Sequence, residues 1–412
     1  MKDTVSVSGY RFIPYKMHDL IEMCIQESKL GAQHDQFRQL FTILVSVFHF
    51  EFHEKLSALK KAYAPFDPDA DTRSVPGLQQ ATPDRFIQTL QQLLEKANYE
   101  QITESDLNHA LTQHSLFKVQ LKVDFSDFSE VLLFCRGQST KREQVKQWLG
   151  LRSKTIDFLN YERVVVYLRT KADFDPEKSG WTDGKPDAML LRLFQNVPRS
   201  DIEMLFPNTH VQMRTIDKLL IGIPAVISGG IVLTTKLGAT LLLLGSLIGF
   251  WIGLSAEPVE LNKASMTVLF AGVGALAGYL WKQFNSFKNR KLRFMQMLTK
   301  NLYFKNLDNN AGVFHRLVDD AEEEEGKEAL LAYYILLTSG AALTQAELDA
   351  RVEDWMLSKW DCVINFEIDD ALHKLLRFGL VYDDQGCFRA VSIDEAVSRL
   401  DQRWDAYFSP SV

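Results

Sequence analysis

The chain has 412 residues with a net charge of −7, and is 46% hydrophobic and 24% charged, which is room for two or three ordinary domains. Residues 1–213 carry 26 Lys+Arg against 28 Asp+Glu, and residues 282–412 carry 16 against 22. Neither block has the basic excess of a nucleic-acid binder. Four scattered cysteines (Cys24, Cys135, Cys362, Cys387) form no CxxC pair and no disulfide-framework spacing, which suits a reducing compartment.

The first residues, "MKDTVSVSGYRFIPYKMHDLIEMC", show no secretory h-region and no Arg-rich transit face, so the N-terminal block is expected to stay in the cytoplasm. "MHDLIEMCIQESKL" and "HDQFRQLFTILVSVFHFEFHEKLSALKKAY" place apolar residues three and four apart, the period of amphipathic helices. The turn-rich "APFDPDADTRSVPG" follows, and helical spacing resumes over 83–97 and 104–114. At residue 117 the period becomes two. "FKVQLKVDF" alternates, and "SEVLLFCRG", "YERVVVYLRTK" and "AMLLRLF" are strand-like runs bounded by turns. Ser200 and Glu203 have capping-box spacing for one more short helix.

Residues 219–254 then run for 36 positions with Lys236 as the one charge. A helix of that length would reach about 54 Å, too long for a hydrocarbon core of about 30 Å. Lys236 therefore reads as a boundary, with 219–235 re-entrant, interfacial or a third span, and 237–254 a transmembrane helix. A second span is expected at 265–281. The cations that follow it (Lys282, Lys288, Arg290, Lys291, Arg293) put the C-terminal side in the cytoplasm. Gly245, Gly249 and Gly253 on one run, and Gly274 and Gly278 on the other, recur every four residues and would let two helices pack closely or self-associate.

In the last block "LTQAELDARVEDWMLSKW" opens with the capping box Thr344–Glu347. A helix over 369–378 ends at Gly379, the strands "LVY" and "CFRAV" flank the turn "DDQG", and a last helix opens with Ser392–Glu395. Helix, helix, hairpin, helix is a winged-helix order. Its second helix offers only Lys374 and Arg377 against Asp369 and Asp370, too few cations for phosphate contacts, so a protein-contact surface is expected.

Chemistry-bearing residues are few. His49 and His53 stand at i, i+4 on a helix, a metal-pair spacing with no third ligand in view. Asp67, Asp69 and Asp71 alternate like the start of a calcium loop, but lack its glycine and its terminal glutamate; an Asp/Pro turn is the simpler reading. "HRLVDDAEEEEGKE" puts His315 and Asp319 on one helix face, with Asp320, Glu323 and Glu324 beside it. This reads as a solvated acidic face capped by Asp308, Asn309 and Asn310, or else as a docking or cation surface. Nucleotide-loop, nucleophile-elbow and zinc-cluster signatures are absent.

The motifs "RFIPYKMHDLIE", "YAPFDPDAD", "VDFSDFSEVLLFCRG", "NYERVVVYLRTK", "NVPRSDIEMLFP" and "NLYFKNLDNNAGVFHRLVDDAEEEEGKEALLAYY" resemble, in this order, the family typified by transmembrane protein 143. The resemblance implies a two-helix integral membrane protein built on a domain of unknown function, and brings no catalytic residue or cofactor. The expectation is therefore an α+β membrane protein. Its parts are a helical (10–115) and antiparallel-sheet (116–213) N-terminal domain, a membrane region at 214–282, and a mainly helical C-terminal domain at 283–412 with a winged-helix-like 341–408. It would be multi-pass in the inner membrane with both domains cytoplasmic. Its partners would be the bilayer and a protein bound through the C-terminal domain, with a homo-oligomer as a further option. The expected role is a scaffold, sensor or binding protein. The alternatives are a glycine-zipper channel or transporter, and a metal-dependent enzyme.

Overall fold

The computed structural model describes residues 9–71, 82–103, 105, 107, 120–147, 152–212, 245–246, 248–252 and 263–407. In chain order the helices are α1 (Met17–Gln26), α2 (His34–Tyr63), α3 (Pro83–Lys96), the single turn α4 (Pro176–Ser179), α5 (Lys263–Lys305), α6 (Ala311–Ser339), α7 (Gln345–Trp360), α8 (Ile368–Arg377) and α9 (Ile393–Ala406). The strands are β1 (Glu100–Gln101), β2 (Gln120–Lys122), β3 (Phe128–Gln147), β4 (Arg152–Thr170), β5 (Met189–Pro198), β6 (His210–Gln212), β7 (Asn306–Asn309), β8 (Leu343–Thr344), β9 (Val381–Asp384) and β10 (Cys387–Ala390). Contacts divide the chain into two units. One comprises 1–114, 124–208 and 305–412; the other comprises 115–123 and 209–304.

The first unit is built on a five-stranded antiparallel sheet in the order β1-β3-β4-β5-β7. Its centre is the hairpin β3–β4, where Leu133 faces Val166 and Phe134 faces Val165. The pairing continues outward as far as Gln147 opposite Arg152. "NLDN" adds the edge strand β7, with Leu193 opposite Asp308. The capping role expected of Asn310 is different in fact. Its side chain makes no cap bond. Its Oδ1 accepts from Tyr63 Oη at 3.0 Å and from Leu191 N at 3.1 Å, joining α2, the sheet and the start of α6.

Helix α6 is the axis of this unit. Its second half, "ALLAYYIL", is apolar on every side and is buried on every side. Phe37 and Phe41 of α2 meet Tyr334 and Tyr333 edge-on, at 6.0 and 6.1 Å between ring centroids. The segment before α1 is tied to the segment before α8: Tyr10 N donates to Val363 O at 3.0 Å, and Asn365 N donates to Tyr10 O at 2.8 Å. The blocks that flank the long apolar stretch in sequence therefore form one unit.

At the C-terminal end the order helix, helix, two-strand wing, helix is present, and β8 extends the wing to three strands, β8-β10-β9. The capping box Thr344–Glu347 is complete, and Ser392 Oγ accepts from Glu395 N at 3.3 Å. Gly379, which follows α8, has φ +68°, the left-handed conformation that favours glycine after a helix. The box expected at Ser200–Glu203 does not form. Those residues lie in a 3-10 helix, Arg199–Leu205, whose N-cap position is Pro198, which has no side-chain donor or acceptor.

In the second unit β2 pairs with β6, and α5 runs 43 residues. The expected transmembrane hairpin is corrected here: among the described residues no helix is long and apolar enough to cross a membrane. The apolar part of α5, residues 265–281, would rise only about 26 Å. It is diluted by three glycines and three alanines, and the helix then continues through a strongly basic stretch. Residues 219–235, Lys236, most of 237–254 and Gly253 lie outside the described residues. Gly245 and Gly249 lie in helical backbone, and Gly274 and Gly278 lie in α5. Among the described residues, a Cβ at any of these four would meet nothing within 4 Å.

Candidate functional site: a basic cavity beside a buried charge network

The acidic stretch of α6 turns inward. Glu324 is 0% exposed, and Asp320, Glu325, Lys327 and Glu328 are buried. A solvated acidic face does not exist here, because cations from distant segments meet it. Arg136 of β3 reaches Asp320 at 3.0 Å and Glu324 at 2.7 Å. Arg163 of β4 pairs with Asp320, which also accepts from Tyr99 Oη at 3.0 Å. Lys327 bonds Glu324 at 3.0 Å and Ile13 O at 3.1 Å, while Ile13 N donates to Glu324 at 2.9 Å. Ile13 is thus tied to α6 through both its backbone N–H and its carbonyl.

One turn on, Lys374 of α8 is 2% exposed and is surrounded by Glu325 at 2.9 Å, Glu328 at 2.5 Å and Asp370 at 3.0 Å. Lys96 caps Glu325 from α3, and Asn98 donates to Glu328 at 3.0 Å. Burial pushes the Glu328 carboxyl up to about 7, against the pull of Lys374 and Asn98. Burial also acts to lower the Lys374 ammonium, but Glu328, Glu325 and Asp370 outweigh it, and the ammonium is held above its ordinary range. Each ion here would be costly alone; together they neutralise and hydrogen-bond one another.

Beside the first half of this network lies a cavity of about 550 Å³. Its walls are the 12–16 strap, residues of β3, β4 and β5, Leu307, and α6 from Arg316 to Lys327. Six cations line it (Lys16, Arg136, Lys141, Arg163, Arg316, Lys327), with three carboxylates, Glu162, Asp320 and Glu323. Phe12, Ile13 and Leu307 supply apolar wall. Among the described residues, two buried polar groups of this lining have no hydrogen-bond partner: Ser139 Oγ, on a residue 1% exposed, and Arg136 Nε. Glu162 is half-buried and, among the described residues, has no ion pair within 4 Å; burial raises its carboxyl above the usual range, against Lys141, Arg136 and Arg163. Gly137 lets the strap approach. Its φ is +75°, and a Cβ would meet Glu162 Oε2 at 2.8 Å and Phe12 at 3.0 Å.

The residues singled out in the sequence fall apart spatially. Asp320 and Glu323 line the cavity, whereas His315 and Asp319 face solvent on the same helix. His49 Nδ1 lies 3.0 Å from Glu322, and His53 is exposed. Asp67 accepts from Asp69 N at 3.0 Å in a local turn; Asp69 accepts from Asn310; Asp71 is exposed. Among the described residues, no group of three His, Cys, Asp or Glu side chains is placed to hold a metal ion. Arg136, Ser139, Lys141 and Glu162 carry the cavity and were not singled out. They sit on strands whose alternation marks burial, and nothing local distinguishes a basic residue facing a cavity from one facing solvent.

Fold and site together define an α+β unit in which a sheet, a strap and a buried helix enclose a charged cavity. A protein-family model described as "Protein of unknown function (DUF3754)" matches residues 161–312, from Tyr161 in β4 to the first turn of α6, so this domain of unknown function is present in the chain. The matched segment includes Glu162, Arg163 and Leu307 of the cavity, and leaves Arg136, Ser139 and Asp320 outside it. No solved structure matches the chain.

Proposed function

We propose that the protein is a non-enzymatic binding protein, a sensor or scaffold, that takes a small molecule into the cavity between the 12–16 strap, β3–β5 and α6. The observation that carries this reading is the pair of buried, unpartnered polar groups beside open volume. A buried polar atom left without a partner costs about 1–3 kcal/mol, and such exceptions in a folded protein call for an explanation. Ser139 Oγ and Arg136 Nε have their explanation if a ligand completes them. A volume of about 550 Å³ is in the range of small-ligand sites. Binding is favoured over catalysis because the unpartnered Ser139 hydroxyl is hydrogen-bonded to no base. Sensing is favoured because α6 carries both the cavity wall (Asp320, Glu323, Lys327) and the Glu325–Glu328 cluster that holds α8.

The test is hydrogen–deuterium exchange of the full chain against a small-molecule library. Ligands should protect the strap at 12–16 and the strands around 136–141 and 162–163. Hits that protect only other segments would remove this reading. Membership of the family typified by transmembrane protein 143 is part of the same proposal. It rests on the ordered motifs from Arg11 to Tyr334, which extend well beyond the matched domain.

A second reading concerns α7–α9. Lys374 is consumed inside, Arg377 bonds Glu51 at 2.9 Å, and Leu376 and Tyr382 are exposed, 39% and 48%. A surface of that character suits a protein partner, which would compete at Leu376 and Tyr382. Crosslinking through a photoreactive group at Tyr382, lost on Leu376→Asp, is the check. Crosslinks unaffected by Leu376→Asp would sink it.

A further inference from the structure

We propose that the ligand of this cavity is a phosphate ester of a small hydroxylated molecule. The inference rests on the binding reading above and names its chemistry. Charge comes first. Arg136 and Arg163 share Asp320, Arg136 and Lys327 share Glu324, Lys327 also meets Glu323 at 3.4 Å, and Arg316 meets Asp308 at 3.2 Å. Among the described residues, that leaves Lys16 with no acidic partner within 4 Å, and Lys141 donating to the neutral amide oxygen of Asn196 at 2.7 Å. An anion is what the lining lacks.

Donor count comes second. The residues that line the space include Lys16, Lys141 and Arg163, Ser139 with its unpartnered hydroxyl, and Arg136 with its unpartnered Nε–H. A tetrahedral phosphate, with three terminal oxygens and a charge near −2, takes up such a divergent set of donors. A planar carboxylate carries one charge and two oxygens. Third, the lining is not purely basic. Glu162 stands without an ion pair, ready to accept from a ligand hydroxyl, and Phe12, Ile13 and Leu307 give an apolar wall. A bare phosphate ion fills little of about 550 Å³; a sugar- or polyol-sized body with one phosphate matches volume, donors and acceptor together.

Isothermal titration of the full chain tests this with glucose 6-phosphate, glucose, citrate, and phosphatidylcholine vesicles containing phosphatidylinositol 4-phosphate. The expected result is one-to-one binding of a phosphorylated probe, with glucose and citrate at least about tenfold weaker. Ser139→Ala and Lys141→Gln should each weaken it by about tenfold, the loss of one charge-assisted hydrogen bond. Both variants spare the fold: Ser139→Ala removes an unpartnered hydroxyl, and Lys141→Gln removes an exposed hydrogen bond to Asn196. Their unfolding temperatures should not fall. Glucose 6-phosphate binding points to a soluble ester and vesicle binding alone to a headgroup; either supports the phosphate chemistry. Citrate or glucose binding as tightly as the phosphorylated probe would overturn the ligand class. So would library ligands that protect the cavity while no phosphorylated probe binds, and in both cases the binding reading stands. Phosphate binding untouched by Ser139→Ala and Lys141→Gln would place it elsewhere and end the proposal.

Discussion

Replacing Lys374 by Met keeps the length of the side chain and removes its charge. Lys374 is 2% exposed and lies within 3.0 Å of three carboxylates. Without it Glu325 keeps only Lys96, and Glu328 keeps only the amide of Asn98. Breaking a buried ion pair from one side destabilises by about 3–5 kcal/mol, against a typical total stability of about 5–15 kcal/mol. The loss should depend on pH in a defined sense. The folded-state carboxyl of Glu328 stands at about 7, above its unfolded value of 4.5, so the folded protein binds the extra proton between those values. That contribution is full below pH 4.5 and is lost as pH rises through 7. Lys374→Met removes a partner that lowers this carboxyl, so the variant should lose still more as pH rises and regain stability toward pH 5. Urea denaturation at pH 5 and pH 7.5 measures both. Lys374→Met/Glu328→Gln should recover part of the loss at pH 7.5, a coupling read from the double-mutant cycle. A loss under about 1 kcal/mol, or one equal at both pH values with no recovery in the double variant, would refute the account of this cluster.

Gly137→Ala puts a Cβ on a residue at φ +75° and against Glu162 and Phe12; it should destabilise by at least about 1 kcal/mol and weaken any cavity ligand. A variant as stable as the parent would show that the strap does not sit this close to β3. Thr344→Ala removes the side chain that accepts from Glu347 N, and should cost about 1 kcal/mol without touching cavity binding, as thermal unfolding and titration together would show.

Some of the fold could be read locally, and particular residues show why. The 3–4 spacing of "HDQFRQLFTILVSVF" gives α2, and the change of period near residue 117 announces the strands of an α+β protein, because those signals depend on neighbours a few positions away. Thr344 and Glu347 find each other for the same reason. The outer half of β3–β4, as far as Gln147 opposite Arg152, is not legible, since ladder pairing runs through backbone groups that carry no side-chain signature. "NLDN" read as a cap and is an edge strand, because the strand it joins is β5, more than a hundred residues earlier.

Sequence by itself determined the amphipathic helices, the caps at Thr344 and Ser392, the onset of the sheet, and the excess of acids over bases on the last block. Tertiary structure decided what those acids do. Whether "DDAEEEEGKE" meets water or cations depends on Arg136, Arg163, Lys96 and Lys374, each supplied from a different element. It decided as well that the apolar run at 265–281 belongs to one 43-residue helix that continues through the basic stretch after it. Local pattern reports the period of a segment, whereas charge neutralisation and cavities depend on partners brought together only by folding.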